Sequence, residues 1–371
     1  MLESPSLIVT LLAFLLVLAP LVVIHELGHY LVGRWFGVKA DVFSVGFGKE
    51  LFGWTDKRGT RWKVSALPLG GYVQFAGDMN AASAPAPTDD GLSAEERAKT
   101  FHVKPLWQRS LIVLAGPLTN LVFAIAIFAA FNMAYGKLVA SSEIGTFAES
   151  STARDAGLEV GDKIIAINGN AVSGFTDIPQ YTVPYPGRTV DILVERGGAE
   201  LSVPVKIAVV VEQDKFGNEA RIGRIGISPG EADVVRIGPV ESVTLGVDQS
   251  FGVMRMMVTG IAQIFTGERS VKELGGPIKI AKYSGEQFSL GWSQFVGFAA
   301  LISINLAFIN LLPIPALDGG HLAFYAAEAV RRKPLGLRSQ EWALRTGLAL
   351  LLALMVFVTI NDLVSLPIFG G

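Results

Sequence analysis

There is no cysteine among the 371 residues, and there are only four histidines. The first absence excludes thiolate metal sites, cysteine nucleophiles and disulfides, without fixing a compartment. Charge is scarce as well. Asp, Glu, Lys and Arg make up 17% of the chain and nearly cancel, leaving a net −2 that gives no basis for nucleic-acid binding. The leading MLESPS carries Glu3 but no Lys or Arg, unlike the basic start of a secretory signal peptide. What is abundant is apolar surface. Half the residues are hydrophobic and the mean hydropathy is +0.45, too high for an ordinary soluble enzyme.

Four apolar runs are long enough to cross a bilayer, which takes about 18 or more residues. They lie at 6–33, 110–134, 292–312 (continuing to 323) and 342–360 (with a flank to 366). The loop after the first run holds eleven basic residues from Arg34 to Arg109, and the loop after the third holds Arg331, Arg332, Lys333 and Arg338. Both ends of the chain lack positive charge. The positive-inside rule therefore expects both of those loops on the cytoplasmic side, and both termini and the stretch 135–290 on the outer side.

The first run contains His25-Glu26-Leu27-Gly28-His29, and from Leu7 to Ile24 no side chain ionises. Ionisable groups inside such a segment are costly and by default mark a function. Four steps along a helix bring the two histidines to one face, where they can share a zinc ion while the glutamate reaches its water. On a soluble amphipathic helix the same letters could simply face water. Here Val22, Val23, Ile24 and Leu27 leave no solvated face. Because this run holds the candidate active site, it is expected to stay in the mature protein.

Two imidazoles do not complete a catalytic zinc site, which takes three protein ligands and one open position. The stretch NLLPIPALDGGH, Asn310–His321, closes the third run, and its prolines and glycines cannot lie in an unbroken helix. Irregular backbone at membrane depth requires protein or a water-filled cavity around it. Asp318 then has two readings: a carboxylate aimed inward as the third ligand, or a helix N-cap in a surface loop. His321 is a rival ligand, and His102 reads as a loop residue.

HELGH, AGPLTN at Ala115–Asn120 and NLLPIPALDGG at Asn310–Gly320 together resemble the signatures of the site-2 protease family. Within it, the chain is similar to the PDZ-bearing bacterial regulators of sigma-E. The likeness extends to GFG at Gly46–Gly48, PLGGYV at Pro68–Val73 and F-x-x-K-P-x-x-x-R at Phe101–Arg109. The resemblance implies one zinc ion on His25, His29 and Asp318, with Glu26 as general base. It implies a β-hairpin dipping into the membrane beside the metal, which places Gly46 and Gly48 among the substrate-positioning candidates.

Residues 138–228 read as a compact module, with a short helix at Thr152–Ala156, strands at Ile164–Ile167, Thr189–Glu195 and Leu201–Val211, and ARIGRIGIS at Ala220–Ser228 closing the sheet. AGLxxGDxIxxING matches bacterial PDZ domains, which add an extended peptide or C-terminus to a strand edge. A sheet domain without a peptide is the other reading. Family members often carry two PDZ domains in tandem; only one is legible here. Residues 42–75 read as strands, with Trp62–Ala66 and YVQF joined by a PLGG turn, at the membrane or as an ordinary cytoplasmic hairpin. Asn120 is expected to pack helix against helix, and Asn305 and Asn310 to position substrate. Residues 79–98 read as a mobile linker, and Val247–Phe265 as an amphipathic helix on the outer surface, within a connecting region at 229–291.

The expected architecture is a polytopic α-helical membrane protein with four transmembrane helices, a membrane-associated β-hairpin in 34–109 and an inserted extracytoplasmic PDZ (α+β) domain. The expected function is an intramembrane zinc endopeptidase in a bacterial inner membrane. The resemblance implies single-pass membrane substrates, such as an anti-sigma factor trimmed by a first protease or signal-peptide remnants. A membrane-bound PDZ scaffold or chaperone with a structural metal is the alternative, though such a site needs no Glu26. A metal carrier would need further ligands along the spans.

Overall fold

A computed structural model describes residues 5–77, 93–213, 219–333 and 335–364. Most of the linker expected at 79–98 lies outside the described residues. In chain order the elements are α1 (Leu7–Trp35), β1 (Ala40–Thr55), β2 (Arg61–Phe75), α2 (Ala94–Ala98), α3 (Leu106–Tyr135), β3 (Lys137–Ala140), β4 (Ile144–Phe147), α4 (Thr152–Asp155), β5 (Lys163–Ile167) and β6 (Asn170–Ala171). There follow α5 (Ile178–Thr182), β7 (Thr189–Arg196), β8 (Ala199–Lys206), β9 (Ala208–Gln213), β10 (Glu219–Arg224), β11 (Ile227–Pro229) and β12 (Ala232–Val235). The chain ends in α6 (Pro239–Phe265), α7 (Pro277–Leu290), α8 (Trp292–Leu311), α9 (Asp318–Arg331) and α10 (Leu337–Val364). Two units emerge, one formed by the chain up to Ile127 with Gly275–Ile360, the other by Phe128–Leu274 with the residues from Asn361.

In the first unit, α1, α3, α8 and α10 are long and apolar enough to cross a membrane, α3 and α10 each running a few residues into the second unit. Leu7, Ile8, Leu11, Leu12, Leu15 and Leu16 point outward from α1, a surface that suits lipid and not water. The opposite side of α1 buries Ala13, Val17 and Leu21 against Phe295 and Ile302 of α8 and Ile280 of α7. Helix α7 lies so close to α1 that a Cβ on Gly285 would stand 2.7 Å from the Thr10 hydroxyl. The sequence had offered α7 only as part of a connecting region.

The strands after α1 correct the expected hairpin. Trp62–Ala66 does not fold back on YVQF across the PLGG turn. Instead Val42–Val45 pairs with Gly71–Gln74 on one side and Arg61–Val64 on the other, and Arg61–Ser65 also pairs with Glu50–Thr55. The tight turn is at Asp56–Thr60, where the Asp56 carboxylate accepts the N–H groups of Arg58 (2.8 Å) and Thr60 (3.0 Å). β1 bends at Gly46, whose φ of 91° and close approach to the Leu67 and Ser65 carbonyls exclude a side chain.

The third apolar run is broken as its prolines require. α8 stops at Leu311, and α9 starts anew at Asp318. The turn between them is compressed: a Cβ on Gly319 would collide with the Leu311 and Leu312 carbonyls, and Ala316 is held at φ 79°.

In the second unit, β6-β5-β7-β8 form a four-stranded sheet over a core that includes Ile144, Ile164, Ile167, Ile192, Val194 and Val205. Asn168 (φ 48°) and Gly169 (φ 76°) make the turn between β5 and β6. The ARIGRIGIS segment does not close this sheet. It divides into β10, which pairs with β9, and β11, which pairs with β4. The expected strand Leu201–Val211 breaks at buried Ile207 into β8 and β9. β3 and β12 clasp the two ends of the module, with Ala140 opposite Ala232. The amphipathic helix α6 is longer than expected, starting at Pro239, a residue that suits the first turn of a helix.

Candidate metal centre

The centre is built from the apolar helix α1 upward. Spaced one turn apart, His25 and His29 set their rings edge to face with centroids 4.8 Å apart and their Nε2 atoms 3.2 Å apart. The orientation of His29 is fixed from α3, where the Ile112 carbonyl accepts a 2.9 Å hydrogen bond from Nδ1. That bond puts the proton on Nδ1 and leaves the Nε2 lone pair for an ion.

Asp318 is the first residue of α9; Leu317, not Asp318, occupies the N-cap. Its Oδ2 lies 3.2 Å from His25 Nε2 and 3.5 Å from His29 Nε2. That oxygen is buried and has no hydrogen-bond partner. Among the described residues, His25, His29 and Asp318 form the one group of three His, Asp or Glu side chains whose ligand atoms all fall within 4.8 Å of each other. Two lone pairs and an orphaned carboxylate oxygen converging on one point are the three-ligand donor set that zinc takes in a catalytic site. His321, the rival, is outside this group, and its ring meets Phe324 instead.

Room for an ion is kept by glycine. A Cβ on Gly116 of α3 would overlap the Nε2 of His29 and stand 2.9 Å from the Cε1 of His25. A Cβ on Gly28 would meet the Ala115 carbonyl and the Thr119 hydroxyl. The two helices therefore touch through small residues, as membrane helices do.

Asn120 has a larger part than sequence reasoning gave it. Its backbone carbonyl accepts the Ser303 hydroxyl at 2.8 Å, which joins α3 to α8. Its side-chain amide nitrogen lies 3.4 Å from His25 Nδ1, and its buried Oδ1 is unpartnered. Turning the amide about its end would let Oδ1 accept the Nδ1–H of His25. In that orientation His25 Nε2 would be free for an ion, as Ile112 leaves His29 Nε2. A polar residue one turn beyond Gly-Pro in an apolar run was the available signal.

Glu26 is 8% exposed and sits between the two histidines in sequence, where the Val73 backbone N–H hydrogen-bonds its carboxylate. Gly71 lets β2 come this close, since a Cβ there would be 3.1 Å from the Glu26 Cγ. Gly46 lies next to Val45, the pairing partner of Gly71, while a Cβ on Gly48 would meet nothing within 4 Å. Asn305 and Asn310 are half-buried on α8.

The residues from 13 to 354 match the model of peptidase family M50. The chain belongs to that family. A relative from Agrobacterium fabrum, whose name makes it a provisional zinc metalloprotease, is 44% identical over 95% of each chain. One from Rhizobium meliloti, named in the same way, is 42% identical over 95% of this chain and 96% of its own. The metalloprotease MmpA of Caulobacter vibrioides is 34% identical over 98% of this chain and 97% of its own. Among solved structures, the PDZ domain of an SdrC-like protein from Listeria monocytogenes is 26% identical over 24% of this chain and 85% of that one, with a TM-score of 0.18. The M50 chain described here is accordingly a zinc metalloprotease with membrane helices.

Proposed function

We propose that this M50 protein is an intramembrane endopeptidase that holds one zinc ion on His25, His29 and Asp318 and cuts single-pass membrane proteins. The observation that carries the reading is the convergence of two imidazole Nε2 atoms on an unpartnered buried carboxylate oxygen, beside the buried Glu26, in a helix of membrane-spanning length. Bound there, zinc supplies acidification of a water molecule and polarisation of a peptide carbonyl. Ile112 and Asn120 hold the imidazoles with their Nε2 atoms inward. Glu26 takes the water proton and later delivers it to the leaving amine nitrogen.

A substrate helix hides its peptide bonds, so it must be extended before attack. Gly71 and Val73 of β2 lie next to Glu26, and an extended segment running beside this part of the strand would be held by main-chain hydrogen bonds. Among the described residues, the side chains of Asn305 and Asn310 make no hydrogen bond, which leaves both amides available to such a segment. The charge asymmetry supports a bacterial inner-membrane protein with the active site toward the cytoplasm and residues 138–228 outside, as a PDZ domain for a substrate peptide or C-terminus. The lipid bilayer is its other partner.

The test is the membrane proteome of cells carrying wild-type or Glu26→Gln protein. Trimmed single-pass proteins should accumulate only with Glu26→Gln. Equal levels in both would show that the chain does not act as a protease on this class.

A further inference from the structure

We infer that Arg109 is a positioning residue for the metal centre, setting helix α9 so that its first residue, Asp318, completes the histidine pair. The inference rests on the ligand assignment proposed above. Arg109 stands in the first turn of α3, at the end of the F-x-x-K-P-x-x-x-R motif, which has no part in the chemistry described so far. Its Nη2 is 3.3 Å from Glu328 Oε2 on α9, with the two side chains 18% and 7% exposed. The guanidinium Cζ lies 4.9 Å from the centre of the ring of Tyr325, three residues before Glu328 on the same helix. Oε1 of Glu328 accepts the Leu335 N–H at 3.0 Å, so the same carboxylate ties down the turn between α9 and α10.

The placement along both helices gives this network its reach. One turn beyond Arg109 on α3 is Ile112, whose carbonyl orients His29. Ile112 and Val113 are packed in one apolar cluster with Tyr30 of α1 and with Tyr325. On α9, Asp318 and Tyr325 are seven residues apart and therefore share a face. The first two turns of α3 thus hold His29 directly and hold the helix bearing Asp318 through Tyr325 and Glu328. Two of the three ligands are referred to one short stretch of backbone.

As a stability device the pair is poorly made. Burying two charges costs about what their attraction returns, and an apolar replacement is often neutral or stabilising. Moreover the Arg109 Nε is buried without a partner. What a directional ion pair supplies, and apolar packing does not, is a fixed register of α9 against α3. Partners behind metal ligands typically carry about 10–100-fold of metal affinity, and that is the size of effect expected here.

Full-length protein in detergent is to be loaded with cobalt(II), whose visible spectrum reports ligand geometry, and its affinity is to be measured by chelator competition. Two variants are compared with wild type: Arg109→Lys, which keeps the charge but loses the planar fork, and Arg109→Met with Glu328→Met, which removes the pair without stranding a charge. Thermal unfolding of the metal-free proteins gives stability separately. The expected result is a cobalt affinity about tenfold or more weaker in both variants, with a shifted visible band, and metal-free unfolding close to wild type. Wild-type affinity and spectrum in either variant would overturn the proposal, as would a loss of affinity matched by a general loss of stability in both. Asp318→Asn, measured alongside, separates the two levels. If it binds cobalt as wild type does, the ligand assignment fails. If it loses cobalt while the Arg109 variants keep it, only the positioning role fails.

Discussion

Gly116 measures how little space the metal centre has. Its missing side chain is the volume between α1 and α3 in which the two imidazoles point their Nε2 atoms. Gly116→Ala should therefore abolish zinc retention while the helices still assemble, because one methyl group fits a lipid-facing helix but not this point; metal analysis of the purified protein checks it. Glu26→Gln tests the opposite dissociation. It should retain about one zinc yet lose roughly 10²–10⁴-fold in cleavage of a tagged single-pass reporter, the range a general base contributes. Zinc lost together with activity would make Glu26 a ligand. Asp318→Asn keeps the size of the side chain but removes the charge that balances zinc in a low-dielectric site. It should cut zinc retention sharply, whereas His321→Ala should keep most of it. A reversed ranking would transfer the third ligand to His321.

At the scale of elements, the second unit offers a pH test that does not involve the metal. Asp162 closes the loop before β5, where Arg196 of β7 grips it through Nε (2.6 Å) and Nη2 (2.7 Å) and the Glu159 N–H donates to it at 2.8 Å. The hydrogen bonds from Arg196 hold its carboxyl below the ordinary carboxylate range. A depressed folded-state value contributes stability above the unfolded value of about 4 and loses it as pH falls through the folded one. Hydrogen exchange of Lys163–Ile167 and Thr189–Arg196 in the full-length protein should thus lose protection below about pH 4. Arg196→Met should remove that acid dependence and lower the module's stability at neutral pH. Unchanged acid sensitivity in Arg196→Met would assign it to other carboxylates. The same elements show what the sequence could and could not convey. His25, Glu26 and His29 are legible because helical periodicity is local, and so is the β5–β6 turn from its Asn-Gly pair. The contact of Asn120 with His25 spans 95 residues of sequence, and no periodicity encodes it. The threading of Val42–Val45 between two parts of β2 depends on bends at Gly46 and around Gly70, whose glycines read equally well as ordinary turns. β3 and β12 are four residues each and lie on either side of the whole module, too short and too far apart to be found as partners.

For the whole molecule, the question is what the module between α3 and α6 does for a reaction whose proposed groups all lie elsewhere. His25, Glu26, His29 and Asp318 belong to α1 and α9, and residues 138–228 contain no histidine. In the orientation proposed above, with the module outside and the HExxH end of α1 toward the cytoplasm, the module would take no part in the chemistry itself. What it can do is exclude a substrate that still carries a folded outer domain, or capture a newly exposed C-terminus. The β3–β12 ladder gives a clean way to remove it. Ala140 and Ala232 are directly paired, so replacing 141–231 by a two-residue Asn-Gly turn leaves the ladder as a short hairpin stem. A deletion beginning at 138 would cut β3 itself. With single-pass reporters in trimmed and untrimmed lengths, and Glu26→Gln as the blank, the deleted protein should process the trimmed reporter at close to the wild-type rate. It should also process the untrimmed one faster than wild type does. Zinc content shows whether the remaining helices are still assembled. If the zinc-loaded deletion variant no longer cuts the trimmed reporter, the module delivers substrate and does not restrain the enzyme. The peptide-binding edge proposed for the module, and not its bulk, would then be the part that matters.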